Sequence, residues 1–384
     1  MQIVLGHSED VDTAAALDDV LAELRAGLGD APPPRAALVF ATLSYDHRAV
    51  LTALHEAFGL PQIGCTVEAI STSVHGYHED ALVVALLCGE GLVAAAGVAR
   101  ALSSADAPDA PARAAVEQAV RALGQPPRVC LSFCESMTVS PLQVLAGLTA
   151  GVGPEVPVLG GTSTDDLRFE RTFQFCSDEV LEDAATCLLL GGDLRAGWCA
   201  AGGWYPVGVE GVVTRATGTV VQRIGSETAL AFYRRYLGGV LLPTGDNPLA
   251  IYDGEGDTFR LGAPLRVNEH SGAVTFMGEV PEGARVRITE TCRDDILGAA
   301  QSAAARAREG CAGDPTAALF FSCGSRKTQL GTRTAIELDM LRRATGPGCA
   351  VLGVYTYGEF GSPEPQGPSR YLNQSLVALL LEPA

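Results

Sequence analysis

Apolar residues along the first 200 positions follow two alternating rhythms. Residues 12–28, 47–58 and 111–123 repeat them at helical spacing, whereas 2–6, 37–41, 62–64, 81–88 and 92–98 are short β-like runs. Alternation of that kind predicts an α/β protein. The proline-rich stretch 29–34 and the small-residue stretch 103–111 read as loops, because proline removes an amide donor and small polar residues favour turns.

Within this pattern one unit occurs three times: strand, loop, helix, then a second strand ending in a Gly- or Thr-rich turn. The copies are 37–46 with 61–69, 129–136 with 157–166, and 317–325 with 350–359. Each is followed by an apolar strand, at 81–87, 184–190 and 376–381. From Phe40 to Gly64, Phe133 to Gly160 and Phe321 to Gly353 the spacings are 24, 27 and 32 residues, a spread that loop insertions account for. Such a unit cannot bury both faces alone, so the copies are expected to pack as related sheets, with the turns after the second strands as places for a pocket. Between the second and third copies, residues 249–260, 266–280 and 285–291 look hairpin-like and predict a mixed or antiparallel sheet, with helices over 227–236 and 294–308. A boundary near 213–222 divides the chain into domains 1–215 and 216–384. The apolar residues Leu237, Val240, Leu241 and Leu242 suit either an interface or a core.

Composition narrows the classes. A chain of 384 residues is long enough for about two cores. Its 47% hydrophobic and 19% charged residues and mean hydropathy of +0.19 are those of a folded protein. A net charge of −18 repels phosphate backbones and anionic lipid, which argues against nucleic-acid partners. The first residues run straight into a strand without a basic, then apolar, leader, and the apolar runs 81–88 and 375–381 are far shorter than a membrane span. A cytoplasmic location without membrane insertion is therefore expected. Eleven cysteines, an odd number and mostly within apolar runs, fit buried free thiols. No Cys pair has zinc spacing, so no metal is expected.

Four stretches carry a family likeness: Ile63-Gly64-Cys65-Thr66; residues 159–171, from Leu159-Gly160-Gly161-Thr162 to Arg171; Gly203-Trp204-Tyr205-Pro206-Val207-Gly208; and Phe321-Ser322-Cys323-Gly324-Ser325-Arg326 with Tyr355-Thr356-Tyr357-Gly358-Glu359. Together, in order and over nearly the whole chain, they resemble the FIST family, in both its N-terminal and C-terminal parts. The resemblance implies a sensory module that binds small ligands such as amino acids, and in some members haem for reporting nitric oxide. With no kinase, cyclase or receptor segment in this chain, a separate signalling protein is the expected partner. Two departures bear on the site. The first turn has Ala69-Ile70 where the third has Gly358-Glu359, its acid being displaced to Glu68. Gly202 stands where the family often has a histidine, which weakens the haem reading.

The ligand is expected among the strand-end turns. Asp165, Asp166 and Glu359 would pair with an ammonium group, or else cap backbone amides. Arg326, beside Ser325, would grip a carboxylate with two parallel hydrogen bonds, with Arg168 and Arg171 as alternatives. Thr66, Thr162, Tyr355 and Tyr357 belong to the same turns, and Trp204 would wall the pocket or staple the domains together. Cys323, taken as equivalent to Cys134, is the weak candidate for a nucleophile in a cysteine-dependent enzyme acting on an acyl or amide group. Buried cysteine is the blander reading. His75 and His78, with Glu79 and Asp80, sit in a hairpin-like loop that suits a metal, a pH-sensitive contact or plain solvation.

Overall fold

The computed structural model describes residues 1–29, 31–237, 242–252, 254 and 256–384. It is a mixed α/β protein in which the threefold unit is real and longer than its sequence signature. Each copy opens with an extra strand and helix: Gln2–Ser8 with Thr13–Leu28, Leu92–Arg100 with Asp109–Leu123, and Leu194–Ala201 with Arg293–Arg308. The unit then continues as expected. Its parallel pairs are Pro34–Ala41 with Gln62–Thr66, Pro127–Cys134 with Val158–Thr162, and Ala317–Cys323 with Ala350–Thr356. The antiparallel strands Leu82–Cys88, Ala184–Gly192 and Leu376–Pro383 close each one.

Before that closing strand, every copy sends out a hairpin that joins another copy's sheet. Ile70–Thr72 and Gly76–His78 of the first extend the third; Gln174–Cys176 and Glu179–Leu181 of the second extend the first; Glu359–Gly361 and Arg370–Leu372 of the third extend the second. The exchange is cyclic and yields three six-stranded sheets. Their inner faces share one apolar core, while a pair of helices covers each outer face. Both faces being buried, the central strands are apolar throughout, unlike half-exposed antiparallel strands. At the centre stand Phe40, Phe133 and Phe321, one from each copy, with edge-to-face ring contacts at 5.1 Å for the first pair and 5.8 Å for the second. Gly160 permits the tight approach of its strand: its φ is +137°, and a Cβ would run into the Ser132 carbonyl oxygen.

Residues 205–290 form an insertion between the opening strand and the opening helix of the third copy. It is an antiparallel sheet with its own apolar core, against which the helix Ala229–Leu237 packs. The stretch 213–222 falls on the hairpin of Tyr205–Thr217 and Val220–Ile224. Leu237 is half-buried against this core and Leu242 is exposed, while Val240 and Leu241 lie outside the described residues. Register also corrects one equivalence. Cys134 follows Phe133 and matches Ser322, whereas Cys323 matches Glu135, so the two cysteines project in opposite directions.

Truncating one member of the central aromatic trio opens a void that three sheets line. Phe133→Ala is expected to cost about 3–5 kcal/mol in urea denaturation, whereas Val11→Ala at an exposed position changes stability by less than about 0.5 kcal/mol.

Candidate functional site

At the carboxyl end of the parallel strands the three turns interlock. Thr66, Thr162 and Tyr355 occupy equivalent places; the two threonines tie their turns to another copy, and Tyr355 ties its turn to Glu337 of its own copy. The Thr66 hydroxyl donates to the Thr164 carbonyl at 2.6 Å and accepts from the Phe173 amide at 3.1 Å. Thr162 Oγ1 accepts from the Gly358 amide at 2.9 Å. The Tyr355 hydroxyl donates to Glu337 at 2.8 Å. All three are buried.

The residues expected to meet a ligand's charges are spent on the same junction. Asp165 accepts from the amides of Phe169, Glu170 and Arg171 at 2.9, 2.6 and 2.8 Å and from the Tyr357 hydroxyl. Burial alone would raise its carboxyl, but these donors outweigh burial and hold it below the ordinary aspartate value. Glu359 is fully buried between Ser375 and Thr356, and burial drives its carboxyl well above the glutamate range. Arg326, also fully buried, pairs with Glu337 at 2.6 Å and donates to the carbonyls of Ile296 and Gly202 and to Ser322 Oγ. A guanidinium engaged in this way does not present the fork that a carboxylate clamp requires. Burial, with Glu359 beside it, raises the Cys323 thiol, and its hydrogen bond goes to the Tyr357 carbonyl at 3.2 Å rather than to a base. That environment opposes a thiolate nucleophile. Asp166 and Arg168 are exposed, Ser325 is half-buried, and Arg171 is paired with Glu182 on the surface.

Of the expected set, Trp204 reaches a cavity roomy enough for a small molecule, whereas Tyr355 borders a void of only about 10 Å³. A space of about 290 Å³ opens where the insertion meets the three-sheet core, walled by Trp204, Phe259, Leu261 and Leu372 and edged by Asp257, Arg260, Arg306 and Asn373. Trp204 and Asn373 are both buried, and both hold an atom without a partner among the described residues: the indole Nε1–H, a donor, and the amide Oδ1, an acceptor. Unpaired buried groups of this kind are costly, and they accumulate where a ligand completes them. A second cleft, about 490 Å³, lies between residues 136–142 of the core and Arg266, Met277 and Glu279 of the insertion. Sequence reasoning missed Asn373, Arg306 and Phe259, since nothing in their local pattern announces that the insertion folds back onto the third copy.

His75 and His78 lie in the first copy's exchanged hairpin and meet His7 on the opening strand, with ring centroids 4.4 and 4.5 Å from it. His75 stacks on His7 and His78 is tilted against it, and among the described residues no His, Cys, Asp or Glu group is disposed to hold a metal. Burial, then the charges of His75 and His78, push His7 down to about 4.

A family model for the FIST N domain matches residues 35–227, and one for the FIST C domain matches 229–362. The chain belongs to the FIST family. FIST domains are associated with sensory signal transduction and the binding of small ligands. The chain is also 34% identical over 82 residues to an uncharacterized protein, MJ1623, of Methanocaldococcus jannaschii; the match takes in 21% of this chain and spans 15% of that protein. Among solved structures it is similar to PurLQS from Thermotoga maritima (10% identity, TM-score 0.25, 100% of this chain and 72% of that one). It is similar too to T. maritima PurL complexed with ATP (11% identity, TM-score 0.24, 99% and 71%). Scores so low carry no argument about this FIST protein's activity. Haem does not fit the cavity beside Gly202: among the described residues its lining holds no His, Cys, Met or Tyr to ligate iron. Among the described residues no helix is long and apolar enough to cross a membrane.

Two outcomes follow from this electrostatics. Arg326→Ala strands Glu337 in the interior and is expected to cost about 3–5 kcal/mol in denaturant titrations, with Glu337→Ala comparable and the double variant well short of the sum. Because the folded-state value of His7 lies below its unfolded value, the folded protein binds fewer protons. Stability is therefore complete above about pH 6.5 and falls as the pH drops toward 4, by about 1–2 kcal/mol after allowing for partial solvation. Urea titrations at pH 7 and pH 5 measure this loss, and His7→Gln removes it.

Proposed function

We propose that this protein senses a small molecule, an amino acid or small carboxylate, held in the 290 Å³ cavity between the insertion and the three-sheet core. The observation that carries this reading is the pair of unpartnered buried atoms on Trp204 and Asn373 at one cavity. An α-amino acid complements them: its carboxylate accepts from the Trp204 indole and faces the cationic edge at Arg306, while its ammonium donates to Asn373 Oδ1 and faces Asp257. Phe259, Leu261 and Leu372 offer an apolar wall to the side chain.

Asp257, Phe259 and Leu261 come from the insertion, whereas Trp204, Arg306 and Asn373 belong to the edge of the core or the residues leading out of it. A ligand touching both sides favours the arrangement in which they are apposed, and that population shift is the signal. A separate signalling protein in the cytoplasm reads it. The cysteine-dependent enzyme and the haem sensor receive no comparable support, given the raised Cys323 thiol and the lining without an iron ligand.

Thermal unfolding in the presence of individual amino acids and small carboxylates tests the proposal. A ligand at a hundred times its dissociation constant adds about 2.7 kcal/mol of stability. One class is expected to raise Tm, and Trp204→Phe and Asn373→Ala to abolish the rise while leaving the unliganded Tm within a few degrees. A flat screen, or a rise that both variants retain, would refute it.

A further inference from the structure

The chain contains 26 arginines and a single lysine, Lys327. This lysine is half-buried in the helix Gly324–Leu330, at the end of the core where the three turns meet. Its Nζ lies 3.2 Å from Glu68 Oε1 and 3.7 Å from Glu79 Oε1. Glu68 comes from the turn after Gln62–Thr66 and Glu79 from the exchanged hairpin of the same copy, so the third copy supplies the amine and the first copy the carboxyls. Glu68 is the displaced acid of its turn, one place before the match of Asp165 and two before that of Glu359, and it meets the lysine.

Its sequence neighbour provides the control. Arg326 also pairs with a buried glutamate, and there the protein builds a closed structural unit from four hydrogen bonds. One residue on, the pairing is left open. Lys327 gives Glu68 a single hydrogen bond, Glu68 Oε2 has no partner among the described residues although the residue is only 4% exposed, and Lys327 keeps 16% of its side chain accessible. Oε2 occupies the space that a side chain at position 324 would fill, so Gly324 is what admits the carboxyl. An arginine serves a purely structural pair at least as well, as Arg326 does. What lysine adds is an amine that can lose its proton and attack carbon.

We propose that Lys327 is a carbonyl-capturing amine that, with Glu68 as its proton carrier, forms an imine with a small uncharged aldehyde or ketone. The Lys327 ammonium passes a proton to Glu68, and the neutral amine attacks the carbonyl carbon, forming the C–N bond. The oxygen takes that proton and a second from nitrogen and leaves as water when the C–O bond breaks. Ammonium plus carbonyl thus become iminium plus water, with no oxidant or reductant consumed and Glu68 restored as the counter-ion. Burial raises the Glu68 carboxyl above its ordinary value, which suits a group that both accepts and returns a proton. Glu68, Glu79 and the nearby charge of Asp166 disfavour an anionic carbonyl compound, and this is why the class is uncharged.

The full-length protein is treated with propanal and sodium cyanoborohydride and followed by intact mass and peptide mapping, which separates Lys327 from the Met1 amine. Because the chain has one lysine, a propyl group on an ε-amine has one address. Labelling of Lys327 is expected to outrun that of Nα-acetyllysine under the same conditions and to slow by about a hundredfold in Glu68→Gln, the low end of what a positioned proton carrier supplies. Lys327→Arg keeps the ion pair and the unfolding profile and loses the adduct. Labelling no faster than Nα-acetyllysine, or a folded Glu68→Gln protein labelled as fast as the wild type, would overturn the proposal. Should Glu68→Gln not fold, the comparison with Nα-acetyllysine decides. Glyoxylate captured faster than propanal would overturn the assignment to uncharged substrates.

Discussion

Contact among Phe40, Phe133 and Phe321 is the constraint on which the rest of this structure depends. Each ring sits at the same place in its copy, near the end of the first strand of a parallel pair, and none of the three sheets can bury its inner face without the other two. The exchanged hairpins follow from the same requirement. A sheet that ended at Gln62–Thr66, Val158–Thr162 or Ala350–Thr356 would expose an edge of unpaired amides beside an apolar core, and a neighbour's hairpin covers it. Aromatic packing at the axis and edge pairing around it are thus one solution, which explains why a chain matched by two domain models behaves structurally as three interlocked units.

Closing the carboxyl end of such an assembly requires buried polar chemistry. The turns there carry backbone amides and carbonyls that find short, strong partners: Asp165 collects three amides, while Arg326 ties Ile296, Gly202 and Glu337 together within the third copy. Charge-assisted hydrogen bonds of this kind stabilise only when every member is present, because an isolated buried charge costs more than its pairing returns. Around Asp165 and Arg326 the junction is therefore a rigid base and not a binding pocket. The adaptable surface lies at the seam with the insertion, where polar groups are left unpaired.

How far the sequence discloses this depends on what each residue's neighbours are. The threefold unit was legible from the spacing of Phe40, Phe133 and Phe321 to their turn glycines, because the inner core needs the same residue at the same strand depth in each copy. The opening strand and helix were not, since 205–290 separates them in the third copy and hides the repeat. The acids and Arg326 were located correctly at strand ends, yet a carboxylate after a turn meets its own chain's amides before it meets a ligand, and nothing in local sequence separates the two fates. Cys134 and Cys323 were matched one place out of register, which in a strand reverses the face. Trp204 was legible as a wall because an indole between glycine and a Tyr-Pro pair has to pack somewhere. Asn373 was not, its role depending on a segment more than a hundred residues away.

Comparison among the copies suggests where function entered. Where the three agree, the residues serve packing: the aromatic trio, the strand-end pairings, the exchanged hairpins. Where they diverge, chemistry appears. The insertion exists in one copy alone and creates the cavity at Trp204. The first turn, with Ala69-Ile70 at the places of the other copies' acids and its own acid at Glu68, leaves that carboxyl half-satisfied beside the chain's only lysine instead of capping a loop as Asp165 does. A symmetric junction would have used each acid for closure. Breaking the symmetry at one turn frees a proton-exchanging pair at the centre of a scaffold rigid enough to hold it, because the other two turns keep the interlock intact.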